Sequence, residues 1–213
     1  MRDLAFRLLP FALIATAAQA YPLKLPPVEV CGSEPGFMAF RDRLRDVAAR
    51  KDRQALLAML APDVTVNFGG GQGPEAFAEA WGLGGTGESD IWPLLRKILA
   101  LGCAVSDEGF VMPSLTIQFE PEEDDDFFDT FVVASPAATL RSAPEANSKA
   151  IATLAWDVVK AVDQSRGAQT KVRLQDGREG WVYSEELYNP AYYRMFLQNR
   201  GGKWVIVAFV AGD

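Results

Sequence analysis

The sequence predicts an α+β fold in which a helical N-terminal region with a curved antiparallel sheet is combined with a small β-barrel. In the first hundred residues, apolar side chains recur at spacings of three and four, which is the repeat of amphipathic helices. From residue 139 to residue 187, short apolar segments alternate with turn residues, a pattern typical of small all-β units. A chain of 213 residues is long enough for one large domain or two small ones with a proper core.

Four helices are predicted, each bounded by a capping residue, a glycine or a proline. Pro74 suits the first turn of the third helix, and Ser89 or Asp90 can cap the fourth. The predicted helical segments are 36–50, 53–60, 74–81 and 89–101.

Three strands are predicted beside these helices, at 64–68, 110–119 and 127–134. The last two flank an acidic run at 120–129, and clustered carboxylates can hold calcium. The run lacks the alternation and the central glycine of an EF-hand loop, and a block of like charges is usually a solvated turn. We therefore predict a solvated turn, with no metal site and no cofactor.

The reactive side chains restrict the possible chemistry. The chain has no histidine, which excludes Ser-His-Asp and Cys-His nucleophilic systems, histidine-containing zinc sites and the usual general base at neutral pH. Its two cysteines, Cys31 and Cys103, are an even number and favour a disulfide in an exported chain. Two buried free thiols are the alternative. The sequence predicts a protein without catalytic residues.

The first twenty residues have the pattern of a secretory signal peptide. Arg2 and Arg7 form a basic start, 8–18 is apolar, and the small residues of 18–20 predict cleavage before Tyr21. The apolar run is shorter than the roughly 20 residues that a bilayer span needs. We expect a periplasmic or secreted protein with no stable membrane insertion after cleavage.

The charge of the chain makes nucleic acid a poor partner. The formal net charge is −7, and removal of the first twenty residues leaves 19 basic and 27 acidic side chains. Phosphate backbones are bound by clustered Lys and Arg, which are scattered here.

Two motifs resemble the bacterial SH3-like domain: Leu-Arg-Ser-Ala-Pro at 140–144 and Asp-Gly-Arg-Glu-Gly-Trp-Val at 176–182. The resemblance implies a small barrel at 131–190 that binds or docks and does no chemistry. Asp176 and Gly177 predict a two-residue hairpin turn before a return strand at 180–182. The apolar positions expected on its strands are Ile151, Leu154, Val158, Val162, Val172 and Leu174.

The segment 51–81 and the last residues resemble the nuclear-transport-factor-like cone fold. The shared features are Ala-Pro-Asp at 61–63, Gly-Pro-Glu-Ala at 73–76 and a closing hairpin at 191–213. After a Pro-rich leader at 21–35, residues 36–130 and the hairpin are expected to form one α+β domain, interrupted by the barrel. In the alternative, two domains follow in series and the hairpin belongs to the barrel.

The aromatic and basic residues of the SH3-like segment are the candidate binding residues. Relatives in wall enzymes are thought to contact peptidoglycan peptides, so the expected partner is a cell-wall peptide or a protein. Tyr192 and Tyr193 could extend the surface. Alternatively, Trp181 is a core residue and the tyrosines cover the junction between domains. The candidates are Arg141, Trp156, Trp181, Tyr183 and Tyr188.

The cone offers a second candidate site, because relatives of that fold often enclose an apolar pocket. Asp63, Asn67, Trp81 and Trp92 could approach such a pocket. The chain would then bind a small apolar ligand or act as an unrecognised hydrolase, although no acid–base pair stands at a diagnostic spacing.

Overall fold

The computed structural model describes residues 24–67, 71–85, 88–119, 127–162 and 167–212. The predicted signal peptide, its cleavage point and most of the acidic run lie outside these residues. In the described part of the chain, no helix is long and apolar enough to cross a membrane.

The predicted helices are present, and a fifth short helix joins them. Asp52 caps the second helix by accepting a hydrogen bond from the Ala55 backbone N–H at 3.0 Å. That helix ends three residues earlier than predicted, because Leu60 already pairs with a strand. The helices are α1 (Phe37–Arg50), α2 (Arg53–Leu57), α3 (Gly73–Ala80), α4 (Ile91–Ala100) and α5 (Leu115–Gln118).

The strands of the described residues form two sheets. They are β1 (Leu60–Thr65), β2 (Ala104–Ser106), β3 (Gly109–Met112), β4 (Thr130–Val133), β5 (Ala138–Arg141), β6 (Ala150–Leu154), β7 (Val158–Ala161), β8 (Gln169–Arg173), β9 (Glu179–Tyr183), β10 (Leu187–Tyr188), β11 (Arg194–Arg200) and β12 (Lys203–Val210). The α+β class is therefore confirmed.

The first sheet has the order β1-β12-β11-β3-β2. Its pairs are antiparallel except β1 with β12, which run parallel. The C-terminal hairpin of β11 and β12 thus pairs with strands from the first half of the chain. The division of the chain into domains, with its boundaries, stays a prediction.

Several strand boundaries differ from the prediction. β1 starts at Leu60 and contains Pro62, which an edge strand tolerates because that residue needs no ladder donor. The strand predicted at 110–119 ends at Met112, since Pro113 follows and α5 begins two residues later. β2 was missed because three residues carry too little periodicity.

The second sheet has the order β10-β4-β7-β8-β9-β5-β6 and is antiparallel throughout. Among the described residues its first and last strands do not pair, so the sheet does not close into a barrel. The β8–β9 hairpin also differs from the predicted two-residue turn. Leu174 donates its backbone N–H to the Arg178 oxygen, and its own oxygen accepts from the Gly177 N–H. Gly177 has a φ of 85°, and the connection therefore has three residues.

Each sheet has its own hydrophobic core. The first core lies between the helices and the first sheet and contains Phe37, Leu44, Phe77, Leu95 and Phe209. The second core lies on one face of the second sheet and contains Val133, Leu140, Leu154, Val159, Val172, Leu174, Val182 and Leu187. Of the apolar positions predicted for the barrel, Ile151 and Val162 are instead exposed.

A junction cluster joins the two sheets. Leu101, Leu115 and Phe119 from the first half pack there with Val132, Val158 and Tyr188 from the second sheet. Lys97 of α4 adds polar contacts, because its Nζ donates to the backbone oxygens of Glu185 and Leu187 at 2.8 and 2.6 Å. Burial lowers the pKa of this lysine.

The described part of the Pro-rich leader, from Lys24 onward, crosses this junction and is held there by two hydrogen bonds. Leu25 donates its backbone N–H to the Trp156 oxygen at 2.7 Å, and Val28 donates to Ser114 Oγ at 3.0 Å. The predicted disulfide is confirmed: Cys31 and Cys103 are bonded, with Cα atoms 5.8 Å apart, and both are fully buried. The leader is therefore an integral part of the described fold.

Candidate ligand-binding face

Strand β9 carries the Gly-Trp-Val motif, and successive side chains of a strand point to opposite faces of the sheet. Val182 points into the second core, and Gly180 is buried on the same side. Trp181 therefore points to the opposite face of the sheet, where it is half-buried and lies outside the hydrophobic clusters of the described residues. Trp181 is thus available for contact from outside the molecule.

Register places a cation on each side of this tryptophan. Arg141 of β5 pairs with Trp181, and Lys171 of β8 pairs with Trp181 from the other strand. One step along the same face, Tyr183 pairs with Gln169, and Tyr183 is exposed. We call these five residues the tryptophan face: Arg141, Gln169, Lys171, Trp181 and Tyr183.

The outward side of the same sheet carries further charged residues. Glu179 of β9 accepts from Lys171 and Arg173 at 2.7 Å each. These hydrogen bonds hold the pKa of the Glu179 carboxyl below its usual value. Lys160 of β7 pairs in register with Arg173. The outward side of the second sheet, which includes the tryptophan face, is therefore rich in positive charge.

Two polar atoms on this face are buried without a hydrogen-bond partner in the described residues. Arg141 donates from one terminal nitrogen to the Ser148 oxygen at 2.9 Å, which ties down the loop between β5 and β6. Its Nε has no partner, and neither has Oε1 of Gln169. A donor and an acceptor are therefore left unused on either side of Trp181.

Two of the candidate residues lie elsewhere. Tyr188 is buried in the junction cluster, where its hydroxyl donates to the Tyr193 backbone oxygen at 2.9 Å and burial raises its pKa. Trp156 packs against the same cluster and has a φ of 62°. The structure thus brings Arg141, Trp181 and Tyr183 together and separates Trp156 and Tyr188 from them.

The other tyrosines also serve packing. Tyr193 stacks on Phe209 of the C-terminal hairpin at a ring distance of 5.5 Å. It also contacts Trp81, which follows α3. Tyr192 meets Phe131 edge-on. Neither ring is placed on the tryptophan face by these contacts.

The four residues proposed for a cone pocket do not converge. Asp63 is exposed and pairs with Arg200 at 2.5 Å, and Asn67 is exposed as well. Trp92 is buried in the first core, while Trp81 is partly buried and packs against that core. These residues do not assemble an acid–base site.

A metal site is also unsupported in the described part of the chain. The one group with ligand spacing there is Glu29 with Cys31 and Cys103, and the two sulfurs are bonded to each other. The disulfide leaves no thiolate to coordinate an ion.

Sequence reasoning missed Gln169 and Lys171 as members of the face. Both lie on β8, and their alternation with Val172 would have indicated that they point away from the core. Their position beside Trp181 depends on register across strands, which a single sequence does not display.

Gly180 provides a test of how closely β5 and β9 approach. A Cβ at this position would lie 2.6 Å from the Arg141 backbone oxygen and 2.8 Å from Leu140 Cγ. We expect Gly180→Ala to lower the free energy of unfolding by about 1–3 kcal/mol, because the extra carbon overpacks against backbone. Chemical denaturation of both proteins measures this loss.

Gly84→Ala is the matched control, since a Cβ there meets no atom of the described residues within 4 Å. It should change the free energy of unfolding by less than about 0.5 kcal/mol. Equal effects of the two substitutions would show that the strands are not in such close contact.

Of three comparisons with known proteins, the scan of family models matches the SH3-like segment. A search of curated proteins finds no match. Among solved structures, a Xanthomonas campestris protein described as a calcium/calmodulin dependent protein kinase II association domain shares 14% identity over 91% of this chain and 97% of its own, with a TM-score of 0.27. A superposition that poor supports no statement about fold or function. The family model described as the bacterial SH3 domain matches residues 134–189, the segment that carries the tryptophan face.

Proposed function

We propose that the protein is an exported, non-catalytic binding protein whose tryptophan face contacts a cell-envelope component, a peptidoglycan peptide in the first place and a partner protein otherwise. The observation that carries the proposal is the position of Trp181. A large aromatic ring stands outside the core, flanked by two cations, within the segment that matches the bacterial SH3 domain. Tryptophan and arginine are the residue types that most often dominate binding energy.

Export is supported by the signal-like N-terminal sequence and by the disulfide. Disulfides persist in oxidising compartments and are rare in the cytosol. Cys31 and Cys103 are joined and fully buried, which suits a structural role. A periplasmic or secreted protein would meet the cell wall directly.

The non-catalytic part of the proposal rests on side-chain chemistry. The chain has no histidine, and the candidate residues of the cone are separated between the surface and the core. The tryptophan face offers cations, an amide and aromatic rings, which bind and orient a ligand but provide no evident nucleophile with a base.

Pelleting with purified peptidoglycan sacculi tests the proposal. We expect the protein, purified after export from its full-length gene, to pellet with sacculi at moderate salt. Trp181→Ala should raise the Kd for sacculi at least about tenfold, because loss of a central aromatic contact commonly costs more than 1.4 kcal/mol. Thermal melting confirms that the variant is folded.

Phe128→Ala is the control, since Phe128 is an aromatic residue that is 57% exposed and lies outside the tryptophan face. It should pellet as the unchanged protein does. Wild-type protein that stays in the supernatant would reject peptidoglycan as the ligand, and pelleting that Trp181→Ala does not affect would reject this face as the site.

A further inference from the structure

The outward side of β5, β7, β8 and β9 has a charge opposite to that of the chain. Register and alternation place four cations there, Arg141, Lys160, Lys171 and Arg173, with Glu179 as the carboxylate between them. The whole chain has a net charge of −7. A positive patch on an acidic protein attracts an anionic ligand locally while the rest of the surface repels it.

Hydrogen bonds among the described residues leave part of the Arg141 guanidinium in this patch unused. Glu179 is shared by Lys171 and Arg173. The guanidinium of Arg141 faces no carboxylate among its described contacts, donates once to a backbone oxygen and leaves Nε unpartnered. A buried donor without a partner costs roughly 1–3 kcal/mol, so a ligand carboxylate that draws the half-buried Arg141 side chain outward and pairs with it relieves this cost.

We propose that the tryptophan face binds a peptide through a carboxylate of that peptide, held by Arg141 beside the ring of Trp181. This inference rests on the proposed function and specifies its ligand. The planar guanidinium matches a carboxylate in shape and charge, and charge-assisted hydrogen bonds are the stronger ones. The indole covers the adjoining apolar part of the peptide.

Gln169 gives the site a second polar contact. Its Oε1, which is buried and has no hydrogen-bond partner among the described residues, lies one step along the face, next to Tyr183. An amide oxygen accepts a hydrogen bond from a backbone or side-chain N–H. A peptide supplies both groups at once, a carboxylate for Arg141 and an N–H for Gln169.

A long polyanion fits less well than a peptide. Nucleic acid binding depends on many phosphate contacts along a basic track. Here the patch holds four cations on one sheet face, while the chain as a whole is acidic. At physiological salt, charges act over about 8 Å, so a short ligand senses the patch whereas a long one also meets the acidic surface.

Paired probes test the inference. The first pair is untreated sacculi and sacculi whose carboxyl groups have been amidated with methylamine. The second pair is a fluorescent eight-residue peptide of alternating Ala and Glu and its Ala-Gln counterpart. We expect the carboxylate probe of each pair to bind at least about tenfold more strongly, with affinity falling as salt rises.

Variants connect the preference to the named residues. Arg141→Gln should remove the preference for the carboxylate probe, and Arg141→Lys should restore part of it, because the charge returns without the planar fork. Arg43→Gln makes the same charge change on the exposed side of α1 and should leave binding unchanged. Melting curves identify any variant that unfolds, and the Lys variant then carries the test.

The outcomes separate this inference from the proposed function. Equal binding of amidated and untreated sacculi, lost in Trp181→Ala, would overturn the carboxylate inference and keep peptidoglycan as ligand. Absent binding to sacculi with a preference for the Glu peptide that needs Arg141 would support the inference and reject peptidoglycan. No preference in either pair, or stronger binding to a single-stranded DNA oligonucleotide than to either peptide, would overturn the inference.

Discussion

Replacing both Cys31 and Cys103 by alanine is expected to lower the free energy of unfolding by about 4 kcal/mol. The two residues are 72 positions apart, so their bond closes a long loop and restricts the unfolded chain. Both side chains are fully buried in the first core, and the substitution therefore also removes packed sulfur. A loss of this size is a large fraction of the 5–15 kcal/mol that typically holds a domain together.

Denaturant titration of the unchanged protein, with and without reductant in the denatured state, provides the control. Reductant breaks the same bond without removing any side-chain atom. The loss of stability in the double variant minus the loss caused by reductant therefore measures the packing contribution of the two side chains. A double variant that loses less than about 1 kcal/mol would contradict a stabilising role for the bond.

Contacts next to the disulfide also hold the leader. Val30 donates its backbone N–H to the Cys103 oxygen, and Cys103 donates its own N–H to the Val28 oxygen. The Glu29 carboxylate accepts a hydrogen bond from the buried Arg41. From there the leader runs to Trp156 at the second sheet. Loosening this segment would affect the junction between the two sheets, since Leu25 belongs to the junction cluster.

The helices were predictable because their signals are local. The spacing of apolar residues in α1 and the proline in the first turn of α3 act within one element and need no tertiary information. The strand boundaries were less predictable. β1 begins earlier than its alternation suggests because β12 supplies pairing partners that the local sequence does not reveal.

The site was predictable only in part, for a related reason. The Gly-Trp-Val pattern identifies a strand whose tryptophan and valine point to opposite sides. Which side is covered depends on where the second core forms, so the sequence left open whether Trp181 is buried. Tyr188 and Trp156 were included because aromatic residues bind ligands, but packing against Leu101 and Phe119 places them at the junction.

Gln169 and Lys171 show most clearly which part of the site could not be predicted from the sequence. They belong to the site through cross-strand pairing of β8 with β9, which is a property of the register. In a hairpin the length of the turn sets the register, and the connection between β8 and β9 has three residues instead of the predicted two. Two residues of the proposed site therefore became visible only in the folded sheet.

Phe209→Ala is expected to lower the free energy of unfolding by about 3–5 kcal/mol. Phe209 is fully buried in β12 and contacts the rings of Phe77, Trp81 and Tyr193 at 5.9, 5.3 and 5.5 Å. Truncation leaves a cavity among these rings, and a close-packed core relaxes only partly around it. Denaturant titration measures the loss.

Phe209→Ala also tests whether a loss of stability in the first core affects ligand binding. The three rings that Phe209 contacts belong to the first core or pack against it, whereas the tryptophan face lies on the second sheet. At a temperature where the variant is folded, it should therefore pellet with sacculi as the unchanged protein does, while Trp181→Ala should not. Phe128→Ala, with its exposed ring, should change stability by less than about 0.5 kcal/mol. A folded Phe209→Ala protein that fails to bind would show that the face depends on the first core, and the ligand would then have to be sought at the junction between the two sheets.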